Sequence, residues 1–123
     1  MYSNNKILIL SKAFALRIIK LYNYLKDERG EQVMSRQILR SGTSIGANAR
    51  ESLNAASKLD FINKLSIALK EADETEYWLE LLHESNYITD SEFLSIDQDC
   101  KTLIGILVKS VKNTKQNLGI QVY

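Results

Sequence analysis

Residues 68–82, ALKEADETEYWLELL, carry two helical stripes at once, a spacing that only a helix packed on more than one side can use. One stripe runs through Phe61, Leu65, Ala68, Ala72, Thr75, Leu79 and Leu82, with steps alternating between four and three. That is the seam by which a helix packs into a bundle. The other, Ile67, Glu71, Glu74, Trp78 and Leu81, is offset by one residue, and so lies about 100° further around the same helix. A helix in a small monomeric bundle needs one apolar face. A second face, holding the only tryptophan and two carboxylates, predicts a partner: another copy of the chain or another molecule.

The rest of the composition agrees with helices. The 123 residues include no proline and five glycines, so nothing forces a long helix to stop. This length fits one domain, residues 1–123, with a core of its own. The single cysteine, Cys100, falls in step with apolar neighbours and reads as a reduced core residue of a cytoplasmic protein. Lys6 precedes the short apolar run 7–10, but polar residues then recur every third or fourth position. Neither a signal peptide nor a membrane span fits that pattern.

Four helices are predicted, at about 5–26, 33–55, 58–85 and 90–116. The first turns Ile7, Leu10, Phe14, Ile18, Leu21 and Leu25 inward and stops around Gly30. The second buries Met34, Ile38, Ile45 and Ala49. Ser57 with Asp60, and Thr89 with Glu92, supply N-terminal caps for the third and fourth. The fourth buries Phe93, Ile96, Cys100, Leu103, Leu107 and Val111, and residues 118–123 form a tail expected to fray. Short connections force neighbours antiparallel, so the expected fold is all-α, a single up-down-up-down four-helix bundle.

Charge is segmented along the chain although its sum is only +1. Residues 1–50 carry a net +6, residues 51–100 a net −9 and residues 101–123 a net +4. The antiparallel topology gathers Lys6, Lys12, Arg50, Lys58, Lys64, Lys109, Lys112 and Lys115 at one end, and most carboxylates at the other. A basic end of that kind is a candidate contact for phosphate backbones.

The second helix contains RSGTSIGANARES, residues 40–52. Gly42 and Gly46 inside a helix each cost about 1 kcal/mol relative to alanine, which predicts close backbone approach, with Ala68 and Ala72 of the third helix as the small residues to meet them. Arg40, Ser44, Asn48 and Glu51 share one side of the helix. Counting from the turn sets Arg40 level with Glu71 and Glu74. An ion pair is expected there, beside Trp78, as a packing and assembly device rather than a reacting pair.

The segment RSGTSIGANARES followed by ALKEADETEYWLELL resembles the bacterial four-helix-bundle proteins first noticed as reading frames within intervening sequences of 23S ribosomal RNA genes. The resemblance covers nearly the whole chain. The family's usual pattern is close to R-x-S-x-S-I-x-A-N-I-x-E-G; here Gly42 stands where a second serine is common, Ala49 replaces the isoleucine and Ser52 the final glycine. The resemblance implies a homopentamer, with bundles around a fivefold axis. One branch of that family, the accessory variability determinant of diversity-generating retroelements, binds nucleic acid and works with a reverse transcriptase. In such a ring the basic ends would all face one way and form a collective cationic rim.

Catalytic constellations are not found. His83 and Cys100 lie on different helices, and the Glu80–His83 spacing occurs once where a carboxylate di-metal bundle needs two copies. Gly42 and Gly46 lie within a helix with no lysine following, so they make no phosphate loop. The six tyrosines are scattered over both ends and read as packing residues. The expectation is a non-enzyme without metal or cofactor. It would act as a nucleic-acid-binding oligomer, with RNA or DNA and a reverse transcriptase or another protein as expected partners, or alternatively as an oligomeric protein-interaction scaffold with no nucleic-acid role. No membrane role is expected.

Overall fold

Four helices account for nearly all of the chain: α1 (Tyr2–Arg29), α2 (Met34–Ser52), α3 (Lys58–Glu84) and α4 (Asp90–Asn117). The structure, a computed structural model, describes the backbone of residues 2–120 and the side chains of residues 6–120. Each helix packs on its sequence neighbours and α4 returns to α1, while α1 and α3 sit on the diagonal. This is the expected antiparallel four-helix bundle.

The core is the one written in the heptad-like spacing. Ile7, Phe14, Ile18 and Leu25 from α1, Ile38, Ile45 and Ala49 from α2, Leu65, Ala68, Ala72, Leu79 and Leu82 from α3, and Ile96, Cys100, Leu103 and Leu107 from α4 form one buried cluster. Leu10, Leu21, Met34, Phe61, Phe93 and Val111 lie half-buried at its edge. At Phe61 the seam shifts by one residue, and Ile62 is buried in its place. The Cys100 thiol donates to the Ala72 carbonyl at 3.4 Å, and burial pushes it up to about 12, so it is inert at neutral pH.

Helix ends differ from expectation where backbone chemistry overrides pattern. α1 runs on to Arg29 and ends at Gly30, whose φ of +65° is left-handed. α2 stops at Ser52 rather than 55, and the amides of Leu53, Asn54 and Ala55 turn back to carbonyls three residues earlier. Ser57 caps α3 by accepting from the Asp60 amide at 3.1 Å. Thr89 and Glu92 form a complete capping box on α4. α3 ends on Asn86 at φ +68°, with the Tyr87 amide reaching back to the Leu82 carbonyl at 2.8 Å. Gly119, at φ +73°, closes α4 likewise, with the Ile120 amide 2.9 Å from the Lys115 carbonyl. The tail is therefore ordered through Ile120, and the expectation for residues 121–123 falls outside the described residues.

The glycines of α2 meet a different neighbour from the one expected. A methyl group at Gly42 would lie 2.8 Å from Ile18 Cγ1, and one at Gly46 would lie 3.1 Å from Ser11 Oγ. Both contacts are on α1. Ala68 and Ala72 are buried, but they do not receive these glycines. Counting residues from a turn fixes the level along α2, not the side, and α1 and α3 both flank it.

Candidate nucleic-acid interface and assembly face

Arg40 leaves the outer edge of α2 and reaches two successive turns of α3. Its Nη1 donates to Glu71 Oε2 at 3.2 Å, and its Nη2 to Glu74 Oε2. The Trp78 indole N–H donates to the same Glu74 oxygen at 3.0 Å. That indole bond foremost, with Arg40, holds the Glu74 carboxyl below the usual range against the opposing effect of burial. The guanidinium is raised in turn, chiefly by Glu74. The pairing expected from the sequence is present. It stitches α2 to α3 within one chain and remains half open to solvent.

The rest of the α2 motif does less than its pattern promised. Ser44 Oγ donates to the Arg40 carbonyl at 2.6 Å, and Asn48 Nδ2 to the Ser44 carbonyl at 2.9 Å. Both polar side chains are thus turned back on their own helix. Glu51 accepts from Lys64 Nζ at 3.0 Å, which ties the end of α2 to the start of α3. Behind the cluster, buried Thr75 donates to Ser41 Oγ at 2.9 Å. Along α3 every member of the second stripe, Ile67, Glu71, Glu74, Trp78 and Leu81, is half-buried. Its amphipathic character is real, and the α2 edge covers part of it.

At the end shared by the start of α1, the end of α2, the start of α3 and the end of α4, the residues Ser52, Leu53, Lys58, Phe61, Thr114 and Asn117 border one cleft. Lys12 and Arg50 border another, between α1 and α2. Lys6, Lys12, Arg50, Lys58, Lys109 and Lys112 are exposed, whereas Lys115 is half-buried. Lys64 departs from the expected set because Glu51 already holds it. Among the described residues no carboxylate pairs with the other seven.

The opposite end is less acidic at its surface than its composition. Glu31 is buried, and its carboxylate accepts from the amides of Val33, Met34 and Ser35 at 3.1, 3.1 and 2.7 Å. Asp99 belongs to the α1–α4 seam, 2.7 Å from Arg17 Nη1. His83 Nε2 lies 2.6 Å from Asp90 Oδ1, and its ring stacks on Phe93 at 4.4 Å. Among the described residues no three His, Cys, Asp or Glu side chains gather as a metal site.

The sequence reading missed one chemical group, the pair Glu76 and Asp97 between α3 and α4. Both side chains are largely buried, and each has one oxygen hidden from water without a hydrogen-bond donor of good geometry. Lys101 Nζ sits 2.9 Å from Glu76 and 3.8 Å from Asp97. Burial first, then Glu76, pushes Asp97 up to about 6. Burial also opposes the charge on Glu76, but Lys101 and the Asp97 carboxyl outweigh it and keep Glu76 low. The signal was present: Asp97 stands four residues after Phe93 and three before Cys100, on the shoulder of the core stripe.

Residues 3–109 match the 23S rRNA-intervening sequence protein family. The chain belongs to that family. A crystal structure of a protein with unknown function from the S23 ribosomal protein family of Bacteroides thetaiotaomicron is similar to this member, at 54% identity. The match covers 89% of this chain and 98% of that one, with a TM-score of 0.88. No curated protein matches. Among the described residues, no helix of the chain is long and apolar enough to cross a membrane.

Proposed function

We propose that this protein is a non-catalytic, self-assembling bundle that holds RNA or DNA by the phosphate backbone at its basic end. One observation carries the reading: Lys6, Lys12, Arg50, Lys58, Lys109 and Lys112 are exposed at or near one end, and no carboxylate of the described residues forms an ion pair with them. Phosphate contacts of this kind position a nucleic acid without reading its sequence. The small overall charge of +1 makes the binding weak for one chain, so a ring that aligns several basic ends strengthens it by avidity. The resemblance to pentameric relatives supports such a ring, and the half-buried stripe through Ile67, Glu71, Glu74, Trp78 and Leu81 supplies an assembly face.

Fluorescence anisotropy with labelled single- and double-stranded RNA and DNA at about 50 mM salt tests the reading, since backbone binding is strongest at low salt. Binding to several sequences with similar affinity is expected. Intact oligomers that bind none of the four probes would remove the nucleic-acid role. The exposed apolar residues Ile9, Leu16 and Leu94 would then favour a protein-interaction scaffold.

A further inference from the structure

The seam between α1 and α4 is the loosest of the four in the bundle. It holds a cavity of about 510 Å³, a volume within the range of small-molecule sites. Its walls step by three and four along residues 17–24 of α1 and 88–96 around the start of α4, so both sides turn a helical ridge to the gap. The inner lining is apolar: Ile88 and Ile96 are buried and Leu21 is half-buried. Tyr24, 36% exposed, stands at one end, where a second cleft continues past Tyr87.

Polar groups gather toward the other end. Arg17 crosses the seam there, with Nη1 2.7 Å from Asp99 Oδ2 and Nη2 donating to Ser95 Oγ at 3.0 Å. Asp99 is thereby offset, and the Ser95 hydroxyl, having accepted that bond, keeps its own hydrogen to donate. Lys20 is exposed beside them, and no carboxylate of the described residues forms an ion pair with it. The carboxylate of Glu92 also borders the cavity, but it is turned to its own helix start, where Oε1 accepts from the Thr89 amide at 2.8 Å.

We infer that this cavity is a binding site for a small carboxylic acid with an apolar chain. Lys20 and Ser95 would hold the carboxylate, and the chain would lie along Leu21, Ile88 and Ile96 toward Tyr24. The rise from Arg17 to Tyr24 along α1 is about 10 Å, close to the extended length of a medium-chain acid such as octanoate. A cationic amphiphile would meet Arg17 and Lys20 with the wrong sign, and a neutral one would leave the charged donor without an acceptor. The site needs neither nucleic acid nor a second copy of the chain, so it stands or falls apart from the function proposed above.

Saturation-transfer difference NMR on the full-length protein tests this, with octanoate, octan-1-ol and octylammonium compared at one ionic strength. Octanoate should bind with a dissociation constant of the order of 1 mM, more tightly than either of the others. Lys20→Glu should weaken octanoate about tenfold and leave octan-1-ol unchanged, because only the carboxylate meets the reversed charge. Ser91→Trp, which sets a large ring on the cavity wall, should weaken both. Lys20 and Ser91 are exposed, so folding is not at stake. Absence of octanoate binding, octylammonium binding as tightly as octanoate, or octanoate binding that Lys20→Glu leaves unchanged would each overturn the assignment.

Discussion

Two buried residues show how far a single side chain constrains this bundle. Gly42 lies where any Cβ would press on Ile18, a fully buried residue of α1, at 2.8 Å. Gly42→Ala gains about 1 kcal/mol of helix propensity, but overpacking a tight core costs about 1–3 kcal/mol. Net destabilisation is expected by urea unfolding. Ile18→Ala, which removes both γ carbons that the new methyl would meet, should cost less stability in the Gly42→Ala background than on its own, and strictly additive losses would show that the contact is not the cause. Gly46→Ala should be milder, because its neighbour at 3.1 Å is the Ser11 hydroxyl. Asp97 is constrained by charge instead. Its folded value of about 6 exceeds the unfolded value of about 3.9. The folded chain therefore binds an extra proton between these limits. The stability this brings is complete below about pH 4 and is lost as pH rises through about 6. Glu76, held low, runs the other way and loses its contribution on acidification. Asp97→Asn should remove the falling limb and raise stability at pH 8 by about 1–2 kcal/mol, because an amide can donate to Glu76 without a buried charge. A loss of stability at pH 8 would contradict this account.

At the scale of the helix, the unexpected device is the start of α2. Val33 occupies the cap position and makes no side-chain bond there; Glu31 does the work from two residues further out. Its carboxylate collects three amides, while Ser35 Oγ donates back to the Glu31 carbonyl at 2.8 Å. Glu31→Gln should cost about 1–2 kcal/mol, since it removes the charge from bonds to a helix N-terminus. Equal urea midpoints for the two proteins would mean that the charge adds nothing to the cap. The Glu31-to-Ser35 spacing was visible in the sequence, but Glu31 stood in a polar run that reads as solvated loop. The helices, their inward faces and two of their caps were legible because periodicity and capping chemistry are local. Arg40 with Glu74 was legible because the short turn after α2 fixes the level of one helix against the next. The partner of Gly42 was not, because level does not fix side. The Glu76–Asp97 pair was only half legible: Asp97 stands on the shoulder of the α4 core stripe, but the burial of Glu76 opposite it depends on how α3 and α4 roll against each other, which no single stripe records.

For the whole molecule, the location of charge matters more than its sum. A chain at net +1 would be a poor ligand for nucleic acid if its charges were evenly mixed. Here Lys6, Lys12, Arg50, Lys58, Lys109 and Lys112 are exposed toward one end, while several carboxylates elsewhere are withdrawn into caps and pairs. Each phosphate neutralised steepens the dependence of log affinity on log salt by about 0.9 for duplex DNA and about 0.7 for single strands. Lys109→Glu combined with Lys112→Glu should therefore flatten that slope by about 2 per chain, beyond any loss of affinity. Glu28→Lys is the control: Glu28 is exposed near the end of α1, far from those lysines, and the change makes the chain more basic. If the basic end makes the contacts, this control leaves the slope as it was. A slope that follows net charge alone, rising with Glu28→Lys as much as it falls with the lysine reversals, would mean that the nucleic acid touches the protein everywhere and the segregated end has no special part in holding it.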